Sequence, residues 1–273
     1  MEKRGLLVRV GIDSSQKSGN WNAPIDENGR FVFVPISDME YNDSGYVQGG
    51  ERTYENEVLC ELKAFAEDCG QLDHRGFQLP RRLHRQPMHL DPDFQTLTYG
   101  DDPIRGKKLG EFGEGSFLAF YSSFKSLTGG RLVYALIGLL VLAERPRKLG
   151  SSTPLRREER LLNAHTRWRD VKEGDLVAHG KEGESGLLER AIPIGEWRLH
   201  QGGGRPAYRV YQRLLDEWGG LTPEDDGWIQ RSAVLPEFNC PDKFLEWFYK
   251  RNIALVREQY RAKTLRGASF KLK

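Results

Sequence analysis

The segment richest in chemically capable groups is His89-Leu90-Asp91-Pro92-Asp93-Phe94, followed by Tyr99-Gly100-Asp101 and Arg105-Gly106. In an extended chain alternate residues share a side, so His89, Asp91 and Asp93 would project together. One imidazole and two carboxylates suit a divalent cation that activates water for phosphodiester or glycosidic chemistry. Without a cation, Asp91 or Asp101 would act as general base while His89 positions or protonates a leaving group. Asp-Pro-Asp is also ordinary turn chemistry, and that structural reading stays open beside the other two.

A second candidate is the loop Asp13 to Pro24, DSSQKSGNWNAP. Trp21 between Asn20 and Asn22 could stack a planar base while the amides read its edge, or Trp21 could pack beneath the loop. Basic residues form a third set. Arg81, Arg82 and Arg85, with His74 and His84, precede the His89 segment, and the C-terminal stretch carries Lys243, Lys250, Arg251, Arg257, Arg261, Lys263, Arg266, Lys271 and Lys273. Locally basic surface beside a polar-aromatic loop is what phosphate-backbone binding requires. No Walker-type or dinucleotide-type glycine motif is present, and no nucleophile elbow.

Composition narrows the setting. Of 273 residues, 38% are hydrophobic and 29% charged, with a net charge of +2, so any nucleic-acid argument rests on local charge. Six Trp, ten Tyr and thirteen Phe give ample core material. Three cysteines without metal-ligand spacing argue against a disulfide scaffold and a structural zinc site, and fit a reducing compartment. The start lacks the features of a secretory signal, and Leu132 to Ala143 is too short to cross a membrane, so a cytoplasmic location is expected.

The elements that must position these groups are β-rich in the middle and helical at the flanks. Leu6 to Ile12 and Arg30 to Ile36 read as strands, and Tyr54 to Cys69 as a helix stopped by Gly70. Glu114 to Phe120 and Glu173 to His179 share a turn-into-strand pattern. The first leads through Thr128-Gly129-Gly130 into the apolar strand Arg131 to Glu144, a hairpin. Thr153 to Trp168 is charged and helical in character, with Pro154 in a first turn. Asp242 to Leu265 is expected as an amphipathic helix. The fold class is α+β, a single domain over 1–273 with its core in about 5–200 and a basic helical extension over 205–273.

The motifs D-S-S-x-x-x-G-N-W-N-A-P, F-V-P-I, H-L-D-P-D-F-x-x-x-T-Y-G-D, R-G-x-x-L, F-L-A-F-Y-S-S-F and E-R-A-I-P-I, in that order over residues 5–200, resemble the nucleotide modification associated domain family, type 3. The resemblance implies a role around DNA base modification and phage conflict. A weaker likeness, carried by Gly115 to Tyr121 and Ile137 to Glu144, is to EVE and other PUA-like domains. It implies a curved mixed or antiparallel sheet or partial barrel that binds a flipped modified base.

The leading reading is therefore a nucleic-acid-associated protein, DNA being the expected partner, that recognises or processes a base taken out of the duplex. Trp21 would stack the base, Asn20 and Asn22 read it, and Asp13 and Ser14 shape the pocket. His89, Asp91, Tyr99, Asp101 and Arg105 would form the opposite wall, with Arg81, Arg82 and Arg85 on phosphates. That reading needs no cofactor. The alternative is a metal-dependent nuclease or base-modifying hydrolase or transferase, with a divalent metal on His89, Asp91 and Asp93. A third possibility is an interaction module whose basic C-terminal helix docks a partner.

Overall fold

The ten-residue runs Phe117–Ser126 and Leu132–Val141 are buried along nearly their whole length, so both their faces must be covered. They form the central antiparallel hairpin of the computed structural model, which describes residues 2–12, 21–38, 45–70, 77–150, 154–198, 207–222, 227–229, 235–257 and 260. In chain order the first elements are β1 (Gly5–Arg9), β2 (Ala23–Ile25), β3 (Ile36–Ser37), α1 (Val58–Asp68), β4 (Met88–His89), β5 (Thr98–Asp101), β6 (Phe117–Ser126) and β7 (Leu132–Val141). There follow β8 (Arg147–Lys148), α2 (Arg157–Arg160), β9 (Leu176–His179), β10 (Gly186–Pro193), β11 (Gly195–Arg198) and β12 (Ala207–Val210). The chain continues through α3 (Gln212–Trp218), β13 (Leu221–Thr222), β14 (Glu237–Phe238), α4 (Pro241–Lys250) and β15 (Leu255–Val256).

The large sheet has the order β13-β14-β1-β6-β7-β10-β15, with β2 also on β6. β1 and β2 run parallel to β6, and the remaining pairs are antiparallel. The order has two ends, so the sheet is open and no barrel closes among the described residues. The fold is mixed α+β with few helices.

Alternation along the strands splits the core into two layers. Leu118, Phe120 and Phe124 face one cluster with α1 residues Val58, Leu62 and Ala66, together with Leu90, Phe94 and Tyr99 from the polar segment. Phe117, Ala119 and Tyr121 face the other, which holds Leu214, Leu215 and Trp218 of α3 and Phe244, Leu245 and Phe248 of α4. The hairpin register shifts between Phe120 and Tyr121, leaving Ile137 opposite no partner. Next to it, Gly138 admits the ring of Phe94: a Cβ there would come within 2.4 Å of the Phe94 Cζ. The polar segment is thereby seated directly on the sheet.

Several expected elements differ. Arg30 to Ile36 is buried at Val32, Phe33 and Val34, but it forms only a bridge at Phe31 and the two-residue β3. Its backbone serves others instead, the Val34 carbonyl accepting from Ile12 N at 2.8 Å. Thr153 to Trp168 contains only the four-residue α2 and a 3-10 turn over Ala164–Thr166, because Asn163 begins a new cap inside it. The helix expected over Asp242 to Leu265 ends at Lys250; Asn252 takes a left-handed conformation (φ 50°), and β15 then pairs with β10. The extension thus adds strands at both edges of the large sheet, β13 and β14 beside β1 and β15 beside β10. Among its described cations, Lys250 pairs with Glu246, Arg251 with Glu217 and Arg257 with Glu182. Arg261, Lys263, Arg266, Lys271 and Lys273 lie outside the described residues.

Candidate metal centre

Two short strand pairings and one capped turn converge on Asp91. β3 pairs with β4 so that Ile36 faces His89, and Asp38 N donates to Pro87 O at 3.0 Å. This brings the Asp38 carboxylate onto His89 Nδ1 at 2.6 Å. β5 pairs with β9, Asp101 facing Leu176, which places Asp175 beside the same region. Both Asp91 carboxylate oxygens accept from Gly100 N of β5, at 2.8 and 2.9 Å. The third contributor is the 3-10 turn. Asn163 caps it, accepting from His165 N at 2.9 Å, while its amide donates to Thr98 Oγ1 at 3.2 Å and Asp91 Oδ1 at 3.4 Å.

The product is symmetrical. His89 Nε2 lies 3.7 Å and His165 Nε2 3.4 Å from Asp91 Oδ2. Each ring is backed through Nδ1 by its own carboxylate, Asp38 for His89 and, at 2.5 Å, Asp175 for His165. All five side chains are buried, Asp175 completely. The three inner atoms, His89 N, Asp91 O and His165 N, lie within 4.8 Å of one another. Two ligands each about 2.1 Å from one ion at a tetrahedral angle are about 3.4 Å apart, so the spacing fits a single first-row divalent ion. A carboxylate on the outer nitrogen fixes the tautomer that leaves Nε2 as ligand and raises its basicity, the arrangement usual behind metal-bound histidine.

Electrostatics favour a cation here. Burial alone would push the His165 pKa down, but the bonds to Asp175 and Asp91 outweigh it and the pKa is pushed up to about 10. Asp91, Asp175 and Asp38 together set three buried carboxylates around two imidazoles. Gly100 sets the approach of the His165 ring: a Cβ there would lie 2.2 Å from His165 Cδ2 and 2.7 Å from Asn163 Oδ1.

The other candidate residues fall into separate groups. Asp93 is fully buried and accepts from Arg167 Nη2 at 2.6 Å, from Gln95 N at 3.0 Å and from Thr96 N at 3.2 Å. The strand ends at His89, so the alternation that would align Asp93 with Asp91 does not continue, and His165 occupies that place in the cluster. Tyr99 and Asp101 occupy the alternate face of β5 from Thr98 and Gly100. There Tyr99 donates to Asp101 Oδ2 at 2.8 Å, Arg105 Nε lies 3.7 Å from the same oxygen, and Arg105 Nη2 donates to Arg9 O at 3.2 Å. Burial raises the Asp101 pKa, opposed by Arg105 and the Tyr99 hydroxyl. Asn22 is buried and gives its amide to Ser123, at 2.7 Å to Oγ and 3.2 Å to the carbonyl. Trp21 is half-buried against the core, and Asp13, Ser14 and Asn20 lie outside the described residues. Arg81, Arg82 and Arg85 are exposed on and after a short 3-10 helix.

Asp38, Asn163, His165, Arg167 and Asp175 were not among the residues singled out from sequence. All of them fall within residues 4–216, the span matched by the family model for nucleotide modification associated domain 3. The chain belongs to that family. The match contains His89, Asp91 and His165 and stops before β13, β14, α4 and β15, and the family's description ties it to nucleotide modification. No curated protein and no solved structure matches the chain. No helix among the described residues is long and apolar enough to cross a membrane.

Proposed function

We propose that this protein is a metal-dependent enzyme of nucleotide modification, acting on a base in DNA at a mononuclear centre formed by His89, Asp91 and His165. The observation that carries the reading is the paired backing of the two imidazoles: each presents Nε2 to Asp91 while a separate buried carboxylate holds its Nδ1.

A bound divalent ion would supply Lewis acidity and an acidified water at the positions that three protein ligands leave open. The chain's own residues do the rest. Gly100 N and Asn163 hold Asp91 so that one oxygen points between the rings. Asp38 and Asp175 fix the ring orientations. The Tyr99–Asp101–Arg105 group, on the alternate face of β5, offers a carboxyl with a raised pKa as a candidate proton carrier. Base extrusion, with Trp21 as a stacking surface and the exposed Arg81, Arg82 and Arg85 on phosphates, would complete substrate binding.

The test is nucleoside mass spectrometry of duplex and single-stranded DNA incubated with the full chain. Iron(II), manganese, cobalt and zinc are supplied in turn, with and without chelator. A new nucleoside mass or a cleaved strand should appear with metal and vanish with chelator or in Asp91→Asn. A product that persists unchanged in Asp91→Asn would overturn the assignment.

A further inference from the structure

Among the described residues only two large apolar side chains are exposed, Tyr249 at 48% and Ile104 at 88%. A lone exposed isoleucine is ordinary on a protein surface, but this one is unusual in its mounting. Asp102 Oδ1 accepts from Ile104 N at 2.8 Å and Arg105 N at 3.0 Å, and Gly106 N donates to Asp102 O at 2.8 Å. Behind the turn, Arg105 reaches back to Arg9 O. Pro103 packs on Gly174, where a Cβ would come within 3.3 Å of the Pro103 Cβ. Gly174 directly precedes Asp175, the carboxylate behind His165. The Ile104 turn is thus held by its own hydrogen bonds and packs, through Pro103, on the residue before Asp175.

Three lysines lie near this turn in the chain or in space. Lys107, Lys148 and Lys172 are exposed. The Lys148 side chain reaches Gly174, and the Lys172 charge acts on Asp102. The Asp102 carboxylate is turned into its own backbone, while Asp170 and Glu173 are exposed acids in the neighbouring loop. An exposed apolar tip with lysines nearby matches a duplex, which offers a stack of flat apolar faces between two rows of phosphates.

We propose that the turn Asp102–Lys108 is a nucleic-acid wedge, Ile104 entering the base stack of a duplex while Lys107, Lys148 and Lys172 hold its phosphates and bring the unstacked base to the metal cluster. Apolar wedges of this kind unstack base steps, and lysine contacts of this kind make binding salt-dependent. The proposal rests on the reading of the cluster as an enzyme centre for its purpose, though not for its test.

The test uses the full chain and a duplex oligonucleotide with a central 2-aminopurine. Wild type should raise the fluorescence on binding. Ile104→Ala should still bind, yet lose most of that rise, while its metal content stays at the wild-type level. Lys107→Gln with Lys148→Gln should weaken binding across sequences and lower the slope of log affinity against log salt by about 2. A full fluorescence rise in Ile104→Ala, a preference for single strands, or an absence of duplex binding at low salt would each overturn the wedge. So would sedimentation showing that Ile104 holds two copies of the chain together. Metal binding measured on the same samples reads the centre separately, so either claim can fail without the other.

Discussion

Asp93 accepts a 2.6 Å bond from Arg167 in a buried pair, and each partner lies two residues beyond a member of the candidate cluster, Asp91 and His165. The pair rivets the turn that carries one ligand to the turn that carries another. Arg167 also donates to Leu161 O through Nε and Nη2, closing the 3-10 turn on itself. Breaking a buried pair costs about 3–5 kcal/mol, but without Arg167 the Asp93 carboxylate keeps Arg52 Nη1 at 3.9 Å and two backbone N–H groups. Arg167→Met should therefore cost no more than about 3 kcal/mol in urea unfolding and weaken metal binding as well. If stability falls while the affinity for metal is unchanged, the rivet has no bearing on the site.

Gly100→Ala tests the approach of the His165 ring. The added methyl would meet Cδ2 at 2.2 Å, far inside contact distance, so the ring or the strand must move. Overpacking of this kind costs about 1–3 kcal/mol. Metal affinity should fall beyond what the loss of stability explains, because the same residue also donates to Asp91. Isothermal titration of the variant checks this, and wild-type affinity would contradict it.

Asp175→Asn keeps the size of the side chain and removes its charge. Losing a carboxylate behind a metal-bound histidine lowers metal affinity about 10–100-fold. Asp38→Asn should act similarly through His89. Competition against a metal-sensitive dye gives the ratio, and two variants indistinguishable from wild type would remove the argument from paired backing.

The pH dependence follows from His165. With no metal bound its pKa is pushed up to about 10 from 6.5, so its contribution to stability is fully present below 6.5 and is lost as pH rises through about 10. A metal takes the place of the proton at Nε2, and binding should release protons and weaken as pH falls. Thermal melts in chelator should decline from neutral pH toward 10, while the metal-loaded protein declines less. His165→Gln should flatten the chelator curve.

Two of the three residues of the candidate cluster, His89 and Asp91, were singled out from the sequence. His89 and Asp91 stand close together in a polar run with no helical or strand-like apolar pattern, and that run proved to seat on the sheet through Phe94 and Gly138. His165 was hidden by its neighbours. Arg156, Arg157, Glu158, Glu159 and Arg160 read as an exposed helix, yet the chain leaves that helix at Leu161 and buries the next turn. The signal that could have marked it is Asn163, a helix-capping type placed in the middle of a supposed helix, followed by Ala164, His165 and Trp168. Asp93 misled because alternation was assumed past the end of a two-residue strand. The β6–β7 hairpin was readable because long apolar runs leave few options. The end of α4 was not, since Ile253, Leu255 and Val256 continue a helical spacing while their backbone serves β10.

The central claim is that His89, Asp91 and His165 hold one metal ion. Elemental analysis of the full chain, purified without chelator and reloaded anaerobically with iron(II), zinc, manganese or cobalt, tests it most directly when wild type and His165→Gln are run together. The account predicts one tightly held ion per wild-type chain and its loss in the variant. Wild-type protein that holds no ion after reloading, or a variant that holds as much as wild type, would contradict it.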